Sequence, residues 1–172
     1  MLGGQLLATL KQRDGQLADV LAGLGPERLE TPCYHPGGIV PAGNFIDLRL
    51  KELALHEWDI RSALEPDAGL SPECLPSIMI LLANSIASGS LPWAFWPGPS
   101  LTAPVRYRFD VSEPVPISVE IAMSGDKVRL EDAVKGDPDV TFRCDTETFL
   151  LLLNGRLAPS PAIAAGRLAG EG

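Results

Sequence analysis

Arg49, Glu52, His56 and Asp59 are the residues of this chain whose types and spacing could do chemistry. They recur at helical intervals within Asn44 to Leu64, so a helix there stacks Glu52 and His56 one turn apart on one side. A carboxylate and an imidazole four residues apart make an E-x-x-x-H half-site, a donor pair that suits zinc and other divalent ions. Arg49 or Asp59 would then stand behind the ligands or in a substrate pocket. The same residues also allow a reading without chemistry, in which Arg49 pairs with Glu52 or Asp59 across a turn and His56 is a hydrogen-bonded core histidine. Helical rotation puts the four on the side of Phe45, Ile46, Leu53, Ile60, Ala63 and Leu64, while Asp47, Lys51, Trp58, Arg61 and Ser62 face away. Charges on an apolar face must be compensated, because burying an unpaired charge is costly.

The elements around this helix follow from periodicity and punctuation. Leu2 to Leu24 has helical apolar spacing and is stopped by Gly25-Pro26. Glu27 to Gly43, rich in Pro and Gly, reads as a loop that holds Cys33, Tyr34 and His35. The motif helix has Asn44 as its N-cap and Pro66 beyond its end, and a third helix runs from Ser71-Pro72 to about Ser88. In the connector from Gly89 to Pro104, Trp93, Phe95 and Trp96 are too apolar for a free linker and should dock domains or roof a pocket. The period then changes to two. Val105, Tyr107, Phe109 and Val111 alternate with polar residues, as do Ile117, Val119, Ile121 and Met123; Ser124-Gly125-Asp126 turns the chain into Lys127 to Leu130, and Asp139 to Cys144 follows. This predicts a small antiparallel sheet with one wet face. Two helices close the chain, Thr146 to Asn154 ended by Gly155, and Pro161 to Leu168. The fold class is therefore α+β, with a helical part at 1–88, an aromatic connector at 89–104 and a sheet-and-helix part at 105–172.

Composition bounds the partners. The 172 residues are 45% hydrophobic and carry a formal net charge of -8, which argues against nucleic acid or an anionic membrane. No charge occurs between Glu73 and Arg106, yet Pro76, Asn84, Ser85, Ser88, Gly89, Ser90 and Pro92 interrupt that stretch, so a buried helix explains it better than a membrane span. Cys33, Cys74 and Cys144 are odd in number and widely spaced, as expected of reduced thiols. The amino terminus lacks the pattern of a signal peptide, and a cytoplasmic location is expected.

Arg49-Leu-Lys-Glu52-Leu-Ala-Leu-His56-Glu-Trp-Asp59-Ile resembles the R-x-x-E-x-x-x-H-x-x-D helix of the DinB-like family that includes mycothiol-dependent maleylpyruvate isomerase. The carboxyl-terminal run DPDVTFRCDTETFLLLLNGRLAPSPAIAAGRLAGEG looks like the sterol-carrier-like domain at the end of the same isomerase family. The resemblance implies a partial DinB-like bundle without its first part, followed by a sterol-carrier-like domain. It also implies a divalent metal, usually zinc, on Glu52 and His56. The family's histidine from an earlier helix has no counterpart, which leaves His35 as the candidate third ligand. Mycothiol would be the thiol cosubstrate, and Arg156 in Asn154-Gly155-Arg156, with Arg49 and Asp59, would bind substrate or thiol; Arg156 is equally readable as a helix C-terminal charge favoured by the macrodipole. No residue stands out as catalytic.

The function implied is a metal-binding protein, active if at all as a thiol-dependent isomerase or transferase. Two alternatives come from other classes. One is a noncatalytic protein that holds a small hydrophobic ligand in a cleft lined by the sheet, Trp93 and Trp96. The other is a truncated relative acting through a homodimer, since three helices precede the sheet where the family bundle has four.

Overall fold

The computed structural model describes residues 3–36, 38–92, 94–95, 98–133 and 136–172. Its backbone separates into two compact units, residues 1–49 and 50–172. In the first unit, α1 (Gly3–Ala22) has no buried residue. The segment expected as a loop instead contains a hairpin: β1 (Pro32–His35) pairs antiparallel with β2 (Gly38–Pro41), Cys33 opposite Val40 and Tyr34 opposite Ile39. Pro and Gly disguise it, because both strands are only four residues long and each has Pro or Gly at an end. The hairpin leads directly into α2 (Ala42–Arg61), whose first amides bond back to the Thr31 and Leu29 carbonyls, so the helix starts two residues before the expected Asn44 cap.

The second unit takes the remainder of α2, then α3 (Leu75–Ser88), and a five-stranded sheet covered on one face by helices. Gly89 stops α3 in the left-handed conformation, with its N–H on the Ile86 carbonyl. The sheet is built from β3 (Leu101–Val111), β4 (Ile117–Gly125), β5 (Lys127–Asp132), β6 (Val140–Cys144) and β7 (Leu168–Glu171), in the order β5-β4-β3-β6-β7. Between β6 and β7 lie α4 (Thr146–Leu153) and α5 (Pro159–Ala164). The sheet is mixed, correcting the antiparallel expectation, because β6 runs parallel to β3 with Phe109 opposite Phe142. The chain must therefore cross the sheet between β5 and β6. The final strand was also unforeseen. Leu168 to Glu171 has no β-branched residue, and it becomes a strand by pairing with the edge of β6.

Alternation sorts the strands into two faces, as expected. Val119, Ile121, Met123 and Leu130 point into a core shared with Phe149, Leu150, Leu151 and Leu153 of α4, Ile78 and Leu82 of α3, and Ala54 and Leu55 of α2. The opposite face is polar. There the Ser118 hydroxyl donates to Asp110 at 2.6 Å and Arg143 pairs with Glu171 at 2.8 Å. At its centre Glu120, only 1% exposed, is bound by Arg106 and by Arg108, the latter at 2.7 Å. The crossing between β5 and β6 is tied to the same arginines: the Arg108 guanidinium donates to the Gly136 carbonyl, and the Arg106 amide to the Asp139 carboxylate.

The phase of α2 differs from the sequence reading. Its buried stripe is Ala54 and Leu55 with half-buried Lys51 and Trp58, whereas Ile60 is 68% and Leu64 80% exposed. Small Ala54 lets the helix approach closely, the Lys51 stem covers apolar surface, and the Trp58 indole N–H finds the Ala68 carbonyl at 2.9 Å. A large apolar side chain with a satisfied polar tip thus outweighs the stripe of Leu53 and Ile60.

Burial pushes the Glu120 carboxyl up, but hydrogen bonds and charge from Arg108 and Arg106 prevail and hold it below the ordinary glutamate value. Its stabilisation is complete above that ordinary value and is lost as pH falls through the lower folded one. We expect Glu120→Ala to cost about 3 kcal/mol, the low end for breaking a buried pair because Arg106 keeps some access to water. Urea unfolding from neutral to acid pH checks both points, and Glu120→Gln should flatten the acid side of the stability profile.

Candidate functional site

The apolar face of the sheet is not fully covered. Tyr107 and Phe109 of β3 and Phe142 of β6 stack side by side, with ring centroids 6.1 Å and 5.2 Å apart, and Phe149 of α4 tilts against Phe109 at 5.3 Å. The rings of Tyr107, Phe109 and Phe142, with Ile121 and Met123 of β4, floor a half-open cavity of about 510 Å³. Its walls are Leu152 and the turn after α4, the entrance to α5, Leu168 of β7, and Ala94 and Phe95 of the connector. Among the described residues, every lining side chain is apolar or aromatic, and the Tyr107 hydroxyl is the one polar side-chain group. Such a surface holds an apolar molecule by excluding water from both partners.

The turn in that wall is specified closely. Asp145 caps α4, accepting from the Thr148 amide at 2.6 Å. Glu147 in its first turn receives the Leu70 amide at 2.7 Å and Arg167 at 2.9 Å. At the other end the Gly155 amide bonds the Leu152 carbonyl and the Arg156 amide the Leu151 carbonyl, the paired bonds of a Schellman motif. Gly155 has a φ of +68°, and a Cβ there would stand 2.7 Å from the Ala94 carbonyl oxygen. Glycine is thus required twice, for backbone conformation and for close approach of the connector.

The residues singled out from sequence are distributed as follows. Arg49 is exposed on α2 in the first unit, and His35 ends β1 there. In the second unit Glu52 Oε2 lies 3.5 Å from His56 Nε2, and His56 Nδ1 lies 3.0 Å from Asp59 Oδ2. The His56 side chain is 64% exposed, so this string lies at the surface and not in the interior that the helical-face reading implied. Asp59 also receives both Nε and Nη2 of Arg156, each at 3.2 Å. Burial alone would raise the Asp59 carboxyl, but Arg156 and then His56 hold it below the usual carboxylate range. Among the described residues no group of three or more His, Cys, Asp and Glu side chains could hold a metal ion. Glu52 and His56 supply a donor pair at the surface, with no third His, Cys, Asp or Glu completing a metal group among the described residues. Burial, with the Asp145 charge adding to it, pushes the Cys144 thiol up to about 11, which leaves it unreactive.

Of the expected cleft lining, Phe95 faces the cavity, whereas Trp93 and Trp96 lie outside the described residues. The contribution of Leu152, Leu157 and Leu168 was missed. The alternation Tyr107-x-Phe109 was a usable signal for the floor; the walls come from a turn and an edge strand whose positions depend on the crossing.

The second unit is thus a mixed five-stranded sheet with helices on one face and an apolar cavity between them. Residues 102–172 match the SCP-2 sterol transfer family, and this part has a sterol-carrier fold. Solved structures give partial superpositions. The sterol carrier protein domain 2 of Helicoverpa armigera is 25% identical, covering 40% of this chain and 56% of that one, with a TM-score of 0.32. Sterol carrier protein 2 like 2 from Aedes aegypti is 17% identical over 55% of this chain and 84% of that one, TM-score 0.37. A UbiJ-SCP2 ubiquinone synthesis protein is 19% identical over 40% and 57%, TM-score 0.31. The chain thus spans just over half the length of two of these three. No curated protein matches the sequence.

Gly155→Ala should destabilise the protein by about 1–3 kcal/mol, combining an unfavourable positive φ with the clash at Ala94. A thermal melt beside Gly166→Ala, a glycine of similar φ with open space around its Cβ, separates the two contributions.

Proposed function

We propose that this protein binds a small hydrophobic ligand in the cavity between the sheet and α4, as a carrier without a covalent step. One observation carries the reading: an apolar cavity of about 510 Å³, floored by stacked aromatic rings, has all its lining residues but Ala94 and Phe95 within the span that matches a sterol transfer family. A volume of that order accommodates a single lipid-sized molecule. Burying about 300 Å² of ligand apolar surface would contribute roughly 7 kcal/mol before the cost of association, enough for micromolar binding only if the site is largely preformed. The stacked rings and the Schellman turn supply that preorganisation.

Titration with a fluorescent fatty acid, cis-parinaric acid, and a fluorescent sterol, dehydroergosterol, tests the proposal. Saturable binding of either at one site per chain is expected. Leu152→Trp, which places an indole from α4 into the cavity, should weaken binding about tenfold or more while leaving the helix content unchanged. Equal affinity in this variant, or no binding of either probe, would refute the cavity as the site.

A further inference from the structure

The Asp59–Arg156 pair joins parts of the second unit that are 97 residues apart in sequence, and it does so at one point in the cavity wall. Arg156 lies between Gly155 and Leu157, both of which line the cavity. Its guanidinium takes both Asp59 oxygens and, through Nη1, the Asn154 carbonyl at 2.9 Å. Two bonds from one planar fork thus hold the turn to α2, and the third fastens the guanidinium to the turn's own backbone. The arginine is mostly shielded, at 17% exposure, so its pair with Asp59 is less screened than the surface pairs of Arg61 with Glu57 and Glu65.

We propose that Asp59 and Arg156 are positioning residues for the cavity: their ion pair fixes the turn that forms one wall, and its loss loosens the wall and weakens ligand binding. Neither charged group lines the cavity, so the pair acts through Gly155 and Leu157 and not by touching the ligand. The part concerning affinity rests on the binding function proposed above; the part concerning the turn does not.

Two readouts keep these apart. Hydrogen exchange over residues 154–159 reports the turn directly, because the Arg156 and Leu157 amides donate to the Leu151 carbonyl. In Asp59→Asn and in Arg156→Gln, exchange there should quicken and affinity for cis-parinaric acid should fall about fivefold, consistent with a wall that is slightly loose. Asp59→Glu and the charge-swapped pair D59R/R156D should recover most of both, and Arg61→Gln, which breaks exposed pairs on the same helix, should change neither. Circular dichroism confirms that each variant is folded. Unchanged exchange in Asp59→Asn overturns the proposal whatever the affinity does, and so does a folded D59R/R156D that recovers nothing. If the unaltered protein binds neither fluorescent probe, the binding function fails while exchange still decides the role of the pair.

Discussion

The sheet that floors the cavity is tied together on its other side by one buried carboxylate. Glu120 is buried at the centre of the polar face, and the two arginines that neutralise it also hold the segment crossing from β5 to β6. That crossing sets β6 parallel to β3 and puts Phe142 beside Phe109. Without it the strands after β5 would continue as a meander, and the aromatic floor would not assemble. A buried carboxylate is an expensive way to stabilise a fold, and an apolar replacement of similar volume often does as well or better. Here the carboxylate finds both partners where β3 and β4 are in the observed register, with Arg108 directly opposite Glu120 and Arg106 two residues before it on β3.

The aromatic floor then needs a cover that leaves room. α4 is eight residues long and buries almost its whole length, with Phe149, Leu150, Leu151 and Leu153 all inside. α5 is only six residues long and buries a single alanine. Between them the chain turns sharply at Gly155, and the connector comes close enough for Ala94 to occupy the space of a missing Cβ. A side chain at position 155 would collide with the Ala94 carbonyl, so the connector and the turn can come this close only at a glycine. The opening therefore follows from an early helix stop, set by one glycine and completed by the Schellman bonds.

Sequence periodicity revealed β4, β5 and β6 to within two residues of their ends, because each has an apolar face opposite polar neighbours, and β3 only from Val105, four residues after its start at Leu101 in the expected connector. β4 was legible from Ile117, Val119, Ile121 and Met123, and the turn at Ser124-Gly125-Asp126 lies where the hairpin closes. Pairing was not legible. Alternation says which residues share a face but not which strand lies alongside, and the arginines that fix the crossing looked like ordinary solvent-facing residues. β7 escaped for a related reason, as Leu168-Ala-Gly-Glu171 has weak β-propensity and is ordered by its neighbour. The hairpin of the first unit was hidden behind Pro and Gly, which mark loops more often than four-residue strands.

The helix that looked most chemical teaches a different limit. Residues spaced i, i+4 and i+7 stack on any helix, so R-x-x-E-x-x-x-H-x-x-D brings carboxylates and an imidazole together whether they bind an ion or one another. Local spacing cannot separate those outcomes, since the first contacts are the same. The difference lies in the partner that ends the string. Here Glu52, His56 and Asp59 lead in sequence to Arg156, a cation 97 residues away, whose fork matches the Asp59 carboxylate. An anionic string that ends on a permanent cation is already neutralised in part, which weakens its pull on a second positive ion. The same fork reaches the Asn154 carbonyl, and so the charge that began as a candidate for substrate recognition is used to attach a helix to the wall of an apolar cavity.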